Sequence, residues 1–432
     1  MERYMKKTEY TDRFFEFLKS SPNAFYAVAT VRERLLSEGY TELSERGGWT
    51  LADGGKYFIT KNSSSLIAFR AVKDANGFMI SASHSDTPAF RVKKALSADS
   101  AYVKLPVERY GGAILYSWLD RPLSIAGRVV VKTDSGVRSQ LVDLERDVAV
   151  IPSVAIHQMR DVNEKYSPNL AVDMIPLFST SKDSLSLDGI IAAQIGADEK
   201  SILSHDLFLY AKNEPITVGI DNELILAPRL DDLGCVFASL EAFLSADAAK
   251  SIPVLMVMDN EEVGSETKQG AASTFPIDTL TRIAGGEEAL RRMLCDSLMV
   301  SADNAHAKHP NRPELSDAGA PVLNGGVVIK YNANQKYATD GVSSALFNLI
   351  CERCGAKTQA YYNRADLPGG STLGSIANTR VSVSTVDIGL PQLAMHSAVE
   401  TMGASDLPEM IKALRAFYST ALSSTGDEIK LI

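Results

Sequence analysis

The stretch SIPVLMVMDNEE, Ser251–Glu262, decides the fold. Its centre, Pro253–Met258, is a continuous apolar run of strand length, which reads as a strand covered on both faces. It then breaks without transition into Asp259-Asn260-Glu261-Glu262. The same design recurs elsewhere. Phe78–Ala82 runs into Ser83-His84-Ser85-Asp86, and Ser297–Val300 runs into Ser301-Ala302-Asp303. Val381–Ile388, rich in β-branched residues, leads through a short loop to Met395-His396-Ser397. Between these runs, Leu233, Val236, Phe237, Leu240 and Leu244 share one helical face behind an Asp231-Asp232 pair. Buried strands alternating with helices predict an α/β fold, a mixed, mainly parallel sheet flanked by helices.

Upstream, the first 40 residues read as two helices. Phe14, Phe17 and Leu18 lie on one face, and Ser21-Pro22 gives a cap and first-turn signal for the second. Val28, Val31 and Leu35 continue it, and Gly39 stops it. Strand character follows at Tyr57–Thr60, Leu66–Ala71 and Phe78–Ala82, with an Asn76-Gly77 turn before the last. From Lys93 to Ile225 the texture changes to short β-like runs such as Arg128–Lys132, punctuated by turn clusters such as Thr133-Asp134-Ser135-Gly136. Residues 1–92 and 226–432 are therefore expected to form one discontinuous domain, with residues 93–225 as an inserted β-rich domain.

With 44 Lys+Arg against 53 Asp+Glu in 432 residues, the chain is net acidic at −9. That balance argues against nucleic acid as a partner, since phosphate binding needs a basic face. No run approaches the 18 or so apolar residues of a membrane-spanning helix. The charged start MERYMKKTEYTDRFFEFLKS lacks the apolar segment of a secretory signal. Four cysteines, Cys235, Cys295, Cys351 and Cys354, are too few for a disulfide framework, so a reducing, cytoplasmic setting is expected. Cys351-x-x-Cys354 has no second pair to complete a zinc site and reads as buried structural thiols.

In open α/β sheets, ligands bind beyond the carboxyl ends of the strands. Four strand exits bearing imidazoles and carboxylates are thus expected at one crevice, together with the Asp231-Asp232 pair. Each motif alone has an ordinary explanation. An Asp-Asp pair opening a helix is commonly a cap, and a solitary histidine is commonly a satisfied core or surface residue. Together they make a donor set of nitrogen and oxygen without thiolate, suited to Zn²⁺, with Mn²⁺ or Co²⁺ as substitutes. Five ligands exceed the need of one catalytic zinc and suit two ions sharing a bridging carboxylate. A further carboxylate beside such a pair can serve as general base.

The motifs SASHSDTPAFRVK, APRLDDLG, MDNEEVGSETKQGA, SADNAHAKHPN and DIGLPQLAMHSAVETMG resemble the aspartyl aminopeptidase family, which includes the vacuolar aminopeptidase I type enzymes. The similarity runs from SPNAFYAVATVRERLLSEGY to the last histidine motif. It is weaker across the insert, where IPSVAIHQMRDVNEKYSPN still matches. The resemblance implies a zinc exopeptidase fold with an inserted dimerisation domain, two Zn²⁺ per subunit, and dimer-based assembly into a dodecamer. It implies that Asp231 bridges the metals, that His84 and Asp303 complete one ion, and that Glu262 and His396 complete the other. Glu261 is then the general base, and Asp86 the partner holding the His84 ring. His157 matches a histidine that reaches a neighbouring subunit's active site, where it can stabilise an oxyanion.

The substrates implied are peptides with a free amino terminus, with acidic Asp or Glu first residues suggested by the family name. Neutral or basic first residues, and a deacylase or carboxypeptidase on the same ligand shell, remain alternatives. Lys330, in GGVVIKYNANQKYATD, matches a family lysine near the substrate pocket. His306 reads as adjoining the ligands or facing substrate, His309 as structural, and His205 has no supporting context. The Gly369-Gly370-Ser371-Thr372 stretch lacks the ending of a phosphate loop and is expected to wall the substrate site.

Overall fold

A computed structural model describes residues 2–93, 96–98, 101–180, 186–247 and 249–432. They fall into two compact units. Met1–Asp86, Pro215–Met395 and Glu400–Ile432 form the first, and Thr87–Glu214 with His396–Val399 the second.

The first unit is built on a nine-stranded sheet, ordered Thr41–Glu42, Lys56–Lys61, Ser65–Arg70, Ser251–Met258, Gly77–His84, Leu298–Ala302, Ser384–Gly389, Val327–Tyr331 and Thr358–Tyr362. The four strands from Ser251–Met258 to Ser384–Gly389 are mutually parallel, and the outer pairs supply the antiparallel members. Side chains alternate across the sheet, as the pleat requires. Leu255 and Val257 enter a layer formed with the helices Glu2–Lys19, Ala24–Ser37, Leu230–Ser245, Gly341–Cys354 and Asp406–Tyr418. Val254, Met256 and Met258 enter the opposite layer, with Phe275, Leu280, Ile283 and Leu290 of two shorter helices. Both faces are dry, which explains why Pro253–Met258 shows no polar alternation.

The second helix begins later than Ser21-Pro22 predicts. Asn23 is its N-cap, because its Oδ1 accepts from the amides of Phe25 (3.1 Å) and Tyr26 (3.3 Å). Gly39, at φ 80°, ends the segment in the left-handed conformation that glycine adopts without a Cβ penalty.

The second unit holds an antiparallel five-stranded sheet, ordered Gly136–Asp143, Leu123–Thr133, Ile202–Ala211, Ala89–Val92 and Val107–Tyr110. The Thr133-Asp134-Ser135-Gly136 turn is a tight hairpin, with Thr133 paired to Gly136. Phe90, Trp118, Leu123, Ile125, Val129, Leu207 and Leu209 form its apolar core. The unit boundaries lie earlier than the expected 92 and 225, for a hydrogen-bonding reason at each end. Ala89–Val92 is a strand of the second unit's sheet. Ile216–Val218 and Leu224–Ala227 form a hairpin that pairs with Glu400–Gly403 of the first unit. Among the described residues, no helix is long and apolar enough to cross a membrane.

Candidate metal centre

Because the central strands run parallel, their carboxyl ends emerge on one edge. Met258 pairs with His84, and Ala302 with Ile388, so the exits are level. His84 ends its strand, Asp303 follows Leu298–Ala302, and Glu261-Glu262 begin a short 3₁₀ turn after Asp259. Asp231 and Asp232 sit within the first turn of Leu230–Ser245, but neither has helical backbone angles, and the peptide between them is cis. Candidate ligand atoms of His84, Asp231, Asp232 and Asp303 lie within 4.8 Å of one another, and all four residues are buried. His84, Glu261 and Glu262 form a second group within the same limit. Tight packing of the exits depends on Gly389, where a Cβ would stand 2.1 Å from the Asp303 carbonyl oxygen.

This collection is electrostatically unbalanced. Burial, followed by the charges of Asp303 and Asp231, pushes the Asp232 carboxyl well above its usual range despite the nearby imidazole. Burial likewise raises Glu261 strongly, with Asp303, Glu262 and Asp86 adding to it. At His84, burial opposes the charged form, yet Asp232, Asp86 and Glu261 drive the imidazole well above its ordinary value. Among the described residues, Oδ1 of Asp232 is buried with no hydrogen-bond partner. An imidazole and converging carboxylates that hold protons tightly in the absence of a cation are a donor set that fits Zn²⁺.

Nδ1 of His84 lies 3.0 Å from the carbonyl oxygen of Asp86 and 3.5 Å from its carboxylate, so Asp86 meets the ring with both. The Asp86 carboxylate also accepts from the amides of Glu261 and Glu262, each at 3.1 Å, and pins the two glutamates side by side. The Lys330 ammonium is engaged within the protein. The residue is 2% exposed, donates to the carbonyls of Asp303 (2.6 Å) and Asn304 (3.1 Å), and stands 3.8 Å from Asp303 Oδ1. Strand Val327–Tyr331 points this residue into the sheet edge, so its charge offsets the acids there.

His396, in the left-handed region at φ 68°, clusters with the second unit, where its Nδ1 lies 3.3 Å from the Gly112 carbonyl. His157 is exposed in a turn of the second unit closed by the Ala155 carbonyl. His306 is exposed and meets the Tyr361 ring edge-on at 6.2 Å. Nδ1 of His309 accepts from the Asn311 amide, a local turn contact. His205 lies on strand Ile202–Ala211, within the second unit's sheet. In the glycine-rich stretch, Thr372 donates to the buried Asp387, and a Cβ on Gly369 would collide with Asn363. Cys354 lies one turn beyond the buried Cys351 and donates to its carbonyl. Sequence reasoning noted the Asp231-Asp232 pair but placed only Asp231 among the ligands. Spacing has no means of showing that non-helical backbone brings the second carboxylate into the same group.

The pattern described as aminopeptidase I zinc metalloprotease (M18) matches residues 17–418. The chain belongs to this family. It is a zinc aminopeptidase, a hydrolase that removes residues from the amino terminus of peptides. A probable M18 family aminopeptidase 2 of Clostridium acetobutylicum is 40% identical over 427 residues, covering 95% of this chain and 99% of the relative. One from Pseudomonas aeruginosa is 38% identical over 426 residues, with 96% and 99% covered. Among solved structures, a chain in the Ape4 and Nbr1 complex superposes with a TM-score of 0.92 at 32% identity, over 96% of this chain and 86% of that one. The S. cerevisiae mApe1 dodecamer gives 0.82 at 27% identity, over 94% and 96%.

Proposed function

We propose that this M18 enzyme is a dinuclear zinc aminopeptidase in which Asp231 would be shared by two ions, with His84 and Asp303 holding one and Glu262 and His396 the other. The observation that carries the reading is the convergence of His84, Asp231, Asp232 and Asp303, with Glu261 and Glu262 sharing the same imidazole. When bound, the zinc ions supply Lewis acidity towards the scissile carbonyl and lower the pKa of the attacking water. Mn²⁺ and Co²⁺ suit the same nitrogen and oxygen donors.

Glu261 acts as the general base. It takes a proton from water and later delivers it to the leaving amine. Asp86 keeps this carboxylate beside Glu262 by holding both amides. His157 contributes from a neighbouring subunit, stabilising negative charge on the carbonyl oxygen, and the insert provides the dimer contact of a dodecamer. The substrates are peptides with free amino termini and acidic first residues. With the Lys330 ammonium engaged by Asp303 and Asn304, a panel of aminoacyl reporters tests that preference directly. The four free thiols accord with a cytoplasmic setting.

The decisive variant is Glu261→Gln. It keeps the size and hydrogen-bonding reach of the side chain but cannot take up a proton. Turnover should fall by about 10²–10⁴-fold with zinc content unchanged. Wild-type turnover in a zinc-loaded Glu261→Gln enzyme would remove Glu261 from the role of base.

A further inference from the structure

A closed ring of hydrogen bonds grips the peptide unit just before Asp231. The Leu230 carbonyl accepts from Asn304 Nδ2 at 2.7 Å, and the same Nδ2 donates to Gln392 Oε1 at 2.6 Å. Gln392 Nε2 donates to Glu400 Oε1 at 3.2 Å, and Glu400 Oε2 accepts from the Asp231 amide at 3.0 Å. Leu230 C=O and Asp231 N–H belong to one peptide plane, so the ring begins and ends on it. Asn304, Gln392 and Glu400 are each at most 3% exposed, so water does not substitute for a wrong partner.

The two main-chain ends fix the direction of every bond between them. A carbonyl only accepts, so Asn304 must turn its amide nitrogen to Leu230. Its Oδ1 then faces the Cys235 thiol at 3.1 Å, a donor. Gln392 must offer its oxygen to Asn304 and its nitrogen to residue 400. The Asp231 amide only donates. Residue 400 therefore faces two donors and needs an acceptor at each arm. A carboxylate satisfies both, whereas glutamine, with the same shape, sets a donor against a donor at one of them.

We infer that Glu400, Gln392 and Asn304 are positioning residues for the metal centre, and that position 400 requires a carboxylate rather than its amide. The ring couples the peptide before Asp231 to Asn304, the residue after Asp303, and so sets the separation of two ligands. The inference rests on the reading of Asp231 and Asp303 as ligands. Partners behind metal ligands commonly change affinity by about 10–100-fold when lost.

The test uses the full chain and three readouts: zinc affinity by competition with a chromophoric chelator, kcat and KM separately, and thermal unfolding of the metal-free protein. Glu400→Gln should weaken zinc binding by about 10–100-fold and lower kcat more than it changes KM. Adding Gln392→Glu to Glu400→Gln moves the carboxylate one place along the ring and restores every donor–acceptor pair, so affinity and kcat should return towards wild type. A folded Glu400→Gln protein with wild-type zinc affinity, whatever its unfolding temperature, overturns the inference, as does a double variant no better than the single. If the single variant does not fold, a double variant that folds and binds zinc supports the ring, and failure of both overturns it. Asp231→Ala separates the two levels of the argument: retention of all bound zinc there overturns the ligand reading itself, and this inference with it.

Discussion

The two units handle charge in opposite ways. In the inserted sheet, Asp206 lies partly exposed between Arg91 Nη2 at 2.7 Å and Arg128 Nε at 2.8 Å, a carboxylate with its counter-ions beside it in reach of solvent. At the parallel strand exits, Asp231, Asp232 and Asp303 crowd around His84 in the interior, and Glu261 and Glu262 adjoin the same ring. Burying like charges together is costly unless something cationic compensates them. The insert is therefore complete as folded, whereas the acidic edge is organised for a charge that comes from outside the chain.

Metal removal should break this contrast most visibly. Chelation should abolish peptide hydrolysis and speed amide hydrogen exchange at the ends of Gly77–His84 and Leu298–Ala302. The hairpin of Leu123–Thr133 and Gly136–Asp143 should keep its protection. Equal loosening of both units would mean that the metal supports the whole fold and that the contrast is wrong.

A second prediction separates metal-linked charge from ordinary buried charge within the first unit. Asp406 accepts from the amides of Asn324 and Gly326, and burial raises its carboxyl to about 7, with Glu409 adding to the rise and Lys357 opposing it. Its folded pKa lies above its unfolded one, so the native state holds a proton that the unfolded chain has released between about pH 4 and 7. This contribution to stability is present at low pH and is lost as pH rises through that window. Replacing Asp406 with Asn should remove the corresponding slope, worth on the order of a few kcal/mol, from denaturant-derived stability measured across pH. An unchanged slope would exclude Asp406 as its source.

The smallest effect belongs to the insert. Asp206→Asn should cost about 1 kcal/mol or less in a denaturant titration, shrinking further at high salt, with zinc content unaffected. A loss of several kcal/mol would show that the insert, too, depends on buried charge.

Much of this organisation is legible in the chain because each central strand is uninterrupted apolar sequence that stops at an acid or a histidine. Parallel pairing then brings His84, Asp303 and Glu261-Glu262 to one edge with no further information. What spacing conveys poorly is which atom of a residue does the work. Asp86 was placed beside His84, but spacing did not show that its carbonyl lies nearest the ring or that its carboxylate also takes the glutamate amides. Lys330 was expected at the substrate, but the depth of its strand buries it beneath Asp303. Glu400, Gln392 and Asn304 left no sequence signal, since their ring joins three separate segments through side chains common in any chain. At the first helices, Ser21-Pro22 is a sound start signal that gives way to Asn23, whose side-chain oxygen reaches two free amides.

Counting zinc per subunit in metal-reconstituted protein tests the bridging role of Asp231 most directly. Elemental analysis should give two ions in the wild type and fewer than one in Asp231→Ala, because the proposed site makes one carboxylate common to both. A single ion in the wild type, or two retained without Asp231, would contradict the account.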